Sequence, residues 1–162
     1  MTEAQRRILG FFLEEAGEHL QTIEQGLLSL KTSVADAELI NDLFRAAHSI
    51  KGGAAQLGLG ALQKTAHRLE DSFSIFRSHP GEIPVDQHLE TLLLRGYDAL
   101  AQLLQQVQDL GHLPEAEGEA IWAAVEPVFA ETETYIERCS VGMSLTWPYR
   151  QKLRIKKLCR QL

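Results

Sequence analysis

Chemistry in this sequence concentrates in one segment, Phe44-Arg45-Ala46-Ala47-His48-Ser49-Ile50-Lys51-Gly52-Gly53-Ala54. Its apolar spacing is helical, yet two adjacent glycines sit where the helix should continue. Each costs about 1 kcal/mol relative to alanine in a helix interior, so something other than helix stability must want them there. At about 100° per residue, His48 falls opposite the core-facing Ile50, with Arg45, Lys51 and Gly52 as its one-turn neighbours. A neutral imidazole on a solvent face, flanked by cations and by a position without a side chain, suits attack on phosphorus. The phosphoryl group it acquires would bring roughly −2 charge, which Lys51 and Arg45 could partly offset.

A lone surface histidine beside a lysine is also what an ordinary solvated helix face looks like, and spacing alone leaves both readings open. The next helical segment adds His67 and Glu70, one turn apart and beside the Leu62/Ala66/Leu69 seam. From there either could reach the preceding helix. A carboxylate accepting from one ring nitrogen of His48 would fix the tautomer and leave the lone pair of the other nitrogen facing solvent.

The elements that must position these groups are helices, because apolar residues recur at spacings of three and four and strand signals are sparse. The first segment, about residues 2–31, aligns Ile8, Phe12, Ala16, Leu20, Ile23, Leu27 and Leu30. Residues 32–37 supply a break, with Ser33 and Asp36 as alternative N-caps. A second helix places Leu39, Leu43, Ala47, Ile50, Ala54 and Leu57 on its core face. After Gly58 and Gly60 a third repeats Leu62, Ala66, Leu69, Phe73 and Phe76. Pro80-Gly81 marks a turn, and a fourth helix carries Leu89, Leu93, Gly96, Leu100, Leu104 and Val107 to about Leu110. A fifth, about residues 114–138, includes Ile121, Val125 and Phe129, with a kink or split expected at Pro127. Short connections between long amphipathic helices predict an all-α, up-and-down antiparallel four-helix bundle with an additional fifth C-terminal helix.

The 162 residues are enough for one domain and a short extension. Residues 1–138 hold all 22 acidic side chains against 10 of the 16 basic ones, a net charge of −12. A body so acidic argues against nucleic-acid binding. Residues 139–162 hold the other six bases and no acid, and read as a basic tail or linker, a segment that docks on acidic surfaces, or a remnant of the way the chain was cut. The apolar run Ile8–Leu13 is too short for a signal peptide or a membrane span, so a cytoplasmic protein without membrane insertion is expected. Cys139 and Cys159 can neither staple the body nor make a four-ligand zinc site. No metal site is expected either, because Glu-x-x-His pairs are missing and His19, His79, His88 and His112 are scattered. Hydrolytic catalysis lacks a plausible nucleophile with histidine and acid partners. A non-catalytic helical-bundle interaction module is the remaining alternative to phosphate chemistry.

His48-Ser49-Ile50-Lys51-Gly52-Gly53-Ala54, then Leu57-Gly58 and His67-Arg68-Leu69-Glu70, closely resembles the histidine-containing phosphotransfer (HPt) domain at the N-terminus of CheA-type chemotaxis kinases. Phe11-Phe12-Leu13-Glu14-Glu15-Ala16 and Leu43-Phe44-Arg45-Ala46-Ala47 extend the resemblance over about residues 5–138. It implies that His48 is the phosphoacceptor, Lys51 a neighbour of the phosphoryl group, Gly52 the access point and Gly53 a close-packing position. It also implies that Glu70 with His67 orients and tunes the imidazole. The partners it implies are a histidine kinase ATP-binding domain as donor and a response-regulator receiver domain, whose aspartate accepts the phosphoryl group. ATP and Mg2+ would be used by those partners, with no cofactor bound by this domain. The chain has no Gly-rich ATP lid and a single asparagine, Asn41, so it is expected to be a phosphocarrier module, free-standing or the N-terminal piece of a longer CheA-like kinase, unable to phosphorylate itself from ATP.

Overall fold

The computed structural model describes residues 2–139, and these form six helices with no strand among them. Helix α1 (Glu3–Leu28) opens on a reciprocal cap, in which the Thr2 hydroxyl accepts from the Gln5 N–H and the Gln5 side chain accepts from the Thr2 N–H. A short α2 (Leu30–Ala35) leads into α3 (Ala37–Gln56), then α4 (Gly60–Ser78), α5 (Gln87–Leu110) and α6 (Glu115–Cys139). Helix α1 packs on α3 and α5, α3 on α4, α4 on α5 and α6, and α5 on α6.

Helix α2 replaces the expected break. Its sequence, Leu-Lys-Thr-Ser-Val-Ala, propagates a helix poorly, and tertiary contacts hold it instead. The Ser33 hydroxyl reaches back to the carbonyls of Gly26 and Ser29 at 3.0 and 3.1 Å, while Leu30 and Val34 are buried. Asp36 then caps α3, its carboxylate accepting from the N–H groups of Glu38 and Leu39.

The turn from α3 to α4 sets the site's register. Leu59 N–H donates to the Ala54 carbonyl and Gly58 N–H to the Ala55 carbonyl, the paired bonds of a Schellman C-cap. Gly58 takes φ +70°, the left-handed conformation that this cap needs and that glycine adopts without Cβ strain. Leu59 is buried, so the chain reverses within three residues and α4 runs back along α3.

The expected core faces of α4 and α5 are all buried. Those of α1 and α3 are displaced within their first two turns. Ile8 is 57% exposed and Leu9 lies inside, and Leu39 is 43% exposed with Ile40 inside. Pro127 neither splits nor ends α6. Its missing N–H would have served the Ala123 carbonyl, and both residues lie on the solvent side where water can take that role. On the inner side Val125, Val128, Phe129, Thr132 and Ile136 are buried. The Arg68 guanidinium, also buried, pairs with Glu133 at 3.2 Å and lies 5.7 Å from the Phe129 ring centre, tying α6 to α4. No helix among the described residues is long and apolar enough to cross a membrane. The expected tail, apart from Cys139, lies outside the described residues.

Candidate functional site

The site lies on α3 and α4, and its geometry follows from their antiparallel register. Moving back along α3 from His48 to Phe44 corresponds to moving forward along α4 from Glu70 to Arg77, because each pair is in contact. His48 projects from the outer face of α3 with 60% of its side chain exposed, whereas Glu70 is only 12% exposed. The His48 Nδ1–H donates to Glu70 Oε1 across 3.1 Å. A carboxylate can only accept, so this bond selects the tautomer with the proton on Nδ1 and leaves the Nε2 lone pair free.

Lys51 joins the same carboxylate from its other side. Its ammonium lies 2.6 Å from Glu70 Oε2, so one half-sequestered acid holds both the imidazole and a cation of α3. The contact is an ion pair, and the low exposure of Glu70 leaves it less screened than a pair in open solvent. Glu70 thus reaches His48 as its place on the next helix allowed, and the contact of Lys51 with the same carboxylate is an addition that the sequence reading did not contain.

The two glycines do different things. A Cβ at Gly52 would meet nothing within 4 Å, so beside His48 the surface of α3 is bare backbone. A Cβ at Gly53 would lie 2.5 Å from Phe12 Cδ2, closer than side chains tolerate, so Gly53 lets α1 and α3 approach.

Two other residues singled out from the sequence stand apart from this cluster. Arg45 is exposed one turn before His48 and forms no ion pair among the described residues. His67, which the resemblance pairs with Glu70, is not brought to His48. Its Nε2 lies 3.7 Å from Asp71 Oδ1 on its own helix, an i,i+4 contact on the solvent face. Residues 67 and 70 are one turn apart and offset by about 60° around the helix, and of the two it is Glu70 that reaches His48 on α3.

Phe44 and Arg77 extend the cluster beyond the site residues named from the sequence. The Phe44 ring, one turn earlier in α3, stacks on the imidazole with centroids 5.9 Å apart and planes inclined by 19°. The guanidinium of Arg77, in the last turn of α4, lies 3.6 Å from the centre of the Phe44 ring. The i,i+4 relation of Phe44 to His48 was open to sequence reading, and the α3/α4 register would then have brought in Arg77.

Known proteins share this architecture. The Hpt domain family model matches residues 7–110. The chain is 36% identical over 115 residues to the chemotaxis protein CheA of Rhizobium meliloti, a match covering 71% of this chain and 15% of that protein. With CheA of Salmonella typhimurium it shares 35% identity over 122 residues, 75% of this chain and 18% of the relative. The chain thus spans less than a fifth of the length of these curated relatives. Among solved structures, the phosphorylated P1 domain of CheA3 in complex with CheY6 from R. sphaeroides superposes with a TM-score of 0.65 at 27% identity, covering 83% of this chain and 99% of that one. The histidine phosphotransfer domain of CheA gives a TM-score of 0.57 at 28% identity, over 78% and 92% of the two chains. With the family model spanning well over half of the sequence, and with an outward histidine held by a carboxylate of the next helix, the chain belongs to the Hpt domain family, the histidine phosphotransfer modules of two-component signalling.

Proposed function

We propose that His48 is the phosphoacceptor of a phosphorelay, taking a phosphoryl group from a histidine kinase ATP-binding domain and passing it to an aspartate of a response-regulator receiver domain. The observation that carries this reading is the exposed imidazole with Nδ1 engaged by Glu70 and a bare backbone beside it at Gly52. Nε2 attacks the γ-phosphorus of ATP held by the partner, the N–P bond forms, and the bond from phosphorus to the bridging oxygen breaks to release ADP. The imidazole ring gains positive charge in that step, and the Glu70 carboxylate on Nδ1–H offsets it. Lys51, and Arg45 by swinging across one turn, would stand near the incoming phosphate oxygens. His67 joins this scheme only as a neighbour on α4. ATP and Mg2+ belong to the partner domains.

Similarity to CheA supports reading the chain as a phosphocarrier module of a CheA-like kinase, in a chemotaxis-type pathway and in the cytoplasm. The similar P1 domain of CheA3 is found in complex with CheY6, which supports a receiver as the acceptor. In the same reading α1, α3, α4 and α5 form the up-and-down bundle, α6 is the added helix, residues 1–138 are the functional domain and residues 139–162 a linker.

The test is to incubate the chain with the ATP-binding domain of a CheA-type kinase, radiolabelled ATP and Mg2+. Label lost in acid and retained in base is expected, and it should be missing from His48→Gln. A chain that takes up no label would instead fit a non-catalytic interaction module.

A further inference from the structure

The hydrogen bond to Glu70 holds His48 at one atom. A ring tethered only at Nδ1, with most of its surface in solvent, can still tilt about that point and carry the Nε2 lone pair with it. Phosphoryl transfer is sensitive to such motion, because attack requires the lone pair in line with the bond that breaks. A second constraint is present. The Phe44 ring lies nearly parallel to the imidazole, at the centroid separation of an offset stack, and this contact restricts the plane that the hydrogen bond leaves free.

Phe44 is itself only half-buried, so its orientation needs support from outside the core. Arg77 supplies it. The guanidinium sits over the ring face at 3.6 Å, well inside the range of a cation–π contact. Among the described residues Arg77 forms no ion pair, so its charge is directed to Phe44 and not to a carboxylate. Hydrogen bond and stack come from opposite sides of the antiparallel pair: Glu70 from α4 fixes Nδ1, and Phe44 from α3, backed by Arg77 from α4, fixes the ring plane.

We infer that Phe44 and Arg77 are positioning residues for phosphoryl acceptance, Arg77 holding the Phe44 ring and the Phe44 ring holding the plane of the His48 imidazole so that Nε2 presents outward. Neither touches the phosphoryl group. This inference rests on the reading of His48 as the nucleophile.

Phosphoramidate, a small chemical phosphoryl donor, separates positioning from docking because it has no protein surface. With the full chain and phosphoramidate, appearance of phosphohistidine is followed by 31P NMR. Phe44→Leu should slow the reaction roughly three- to tenfold, and Arg77→Met should slow it by a smaller factor. Phe44→Tyr and Arg77→Lys should restore most of the rate, since a ring and a cation are regained. In the double variant Phe44→Leu/Arg77→Met, loss of Arg77 should add nothing to the loss of Phe44. The His48 ring protons should shift in Phe44→Leu as the stacked ring current is lost. Arg77→Met changes an exposed side chain, so its melting midpoint should stay close to the parent's, which guards against misreading a folding defect.

An unchanged phosphoramidate rate in Arg77→Met, or full multiplicative losses in the double variant, would overturn the inference. A slowdown seen only with a protein donor would also overturn it, making Arg77 a docking contact. A parent chain that phosphoramidate leaves unlabelled at His48 would bring down the nucleophile itself, an outcome distinct from labelled variants that merely match the parent.

Discussion

Gly53 faces the ring of Phe12 so closely that a methyl group there would lie 2.5 and 2.6 Å from two ring carbons, whereas Gly52, its neighbour, faces open space. Two adjacent glycines in one helix thus answer different needs. Gly53→Ala is expected to lose about 1–3 kcal/mol of stability through overpacking against a buried ring, despite better helix propensity. Gly52→Ala is expected to gain about 1 kcal/mol. Denaturant unfolding of both variants checks this, and equal effects would mean the α1/α3 contact is softer than its distances imply.

Access is a separate question from stability at Gly52. Gly52→Leu should remain as stable as the parent and accept phosphate slowly from a kinase domain, because a branched side chain would stand one turn from His48 where a large partner must approach. Phosphoramidate, being small, should lose much less rate than the protein donor. Equal slowing by both donors would place the defect at the imidazole and not at the approach.

His48→Gln should abolish acid-labile labelling while leaving helical content and melting midpoint unchanged, because the side chain is mostly in solvent and adds little to the core. Continued labelling of the variant would move the phosphoacceptor to another histidine.

Glu70 joins two groups of α3 through its two oxygens, so its removal should do more than loosen a surface charge. Glu70→Ala is expected to slow phosphorylation about tenfold without eliminating it, since the nucleophile remains but its tautomer is no longer fixed. The 15N chemical shifts of the imidazole should change from those of an Nδ1–H form toward a mixture. Unchanged shifts would mean that the hydrogen bond does not set the tautomer in solution.

How much of this is legible in the sequence depends on whether a single helix face decides the matter. Leu62, Ala66, Leu69, Phe73 and Phe76 have few apolar neighbours competing for the same stripe, and all are buried as their spacing implies. Ile8 and Leu9 are adjacent and both apolar, as are Leu39 and Ile40, so periodicity near a helix start fits either edge of the stripe and packing decides. Helix α2 depends on a hydroxyl reaching seven residues back to Gly26, a contact no local pattern encodes. At Pro127 the local signal is the missing N–H alone, while the buried residues that keep α6 continuous come from both sides of it. In the site, the residue types and spacing of His48, Lys51 and Glu70 point to one another. Arg77 becomes visible only once α3 and α4 are set in register.

At the far end of α5, a pair of groups links α5 to α6 with a pH signature of its own. Asp86 caps α5 by accepting from the Leu89 N–H at 2.9 Å, and its other oxygen accepts from the Tyr135 hydroxyl of α6. That hydroxyl, and secondarily the Leu89 N–H, hold the Asp86 carboxyl below its ordinary 3.8, and the same bond pushes Tyr135 up to about 12. A depressed carboxyl favours the fold above pH 3.8, and that contribution fades as pH falls through its lowered value. A raised phenol favours the fold fully below its ordinary 10.0 and loses that contribution as pH rises through about 12. Tyr135→Phe removes both effects together. Its Asp86 titration, followed by carboxyl 13C NMR, should move up toward the ordinary value. The stability gap between parent and variant should stay constant from neutral pH down to about pH 4 and narrow below it. Asp86 is exposed, so the gap should be small, and Asp86→Asn, which retains a capping oxygen, should keep most of the helix start intact. An Asp86 titration unmoved by Tyr135→Phe would show that the tyrosine does not hold the carboxylate in solution, and that α5 and α6 are joined at this end by apolar packing and by the His88–Glu131 contact instead.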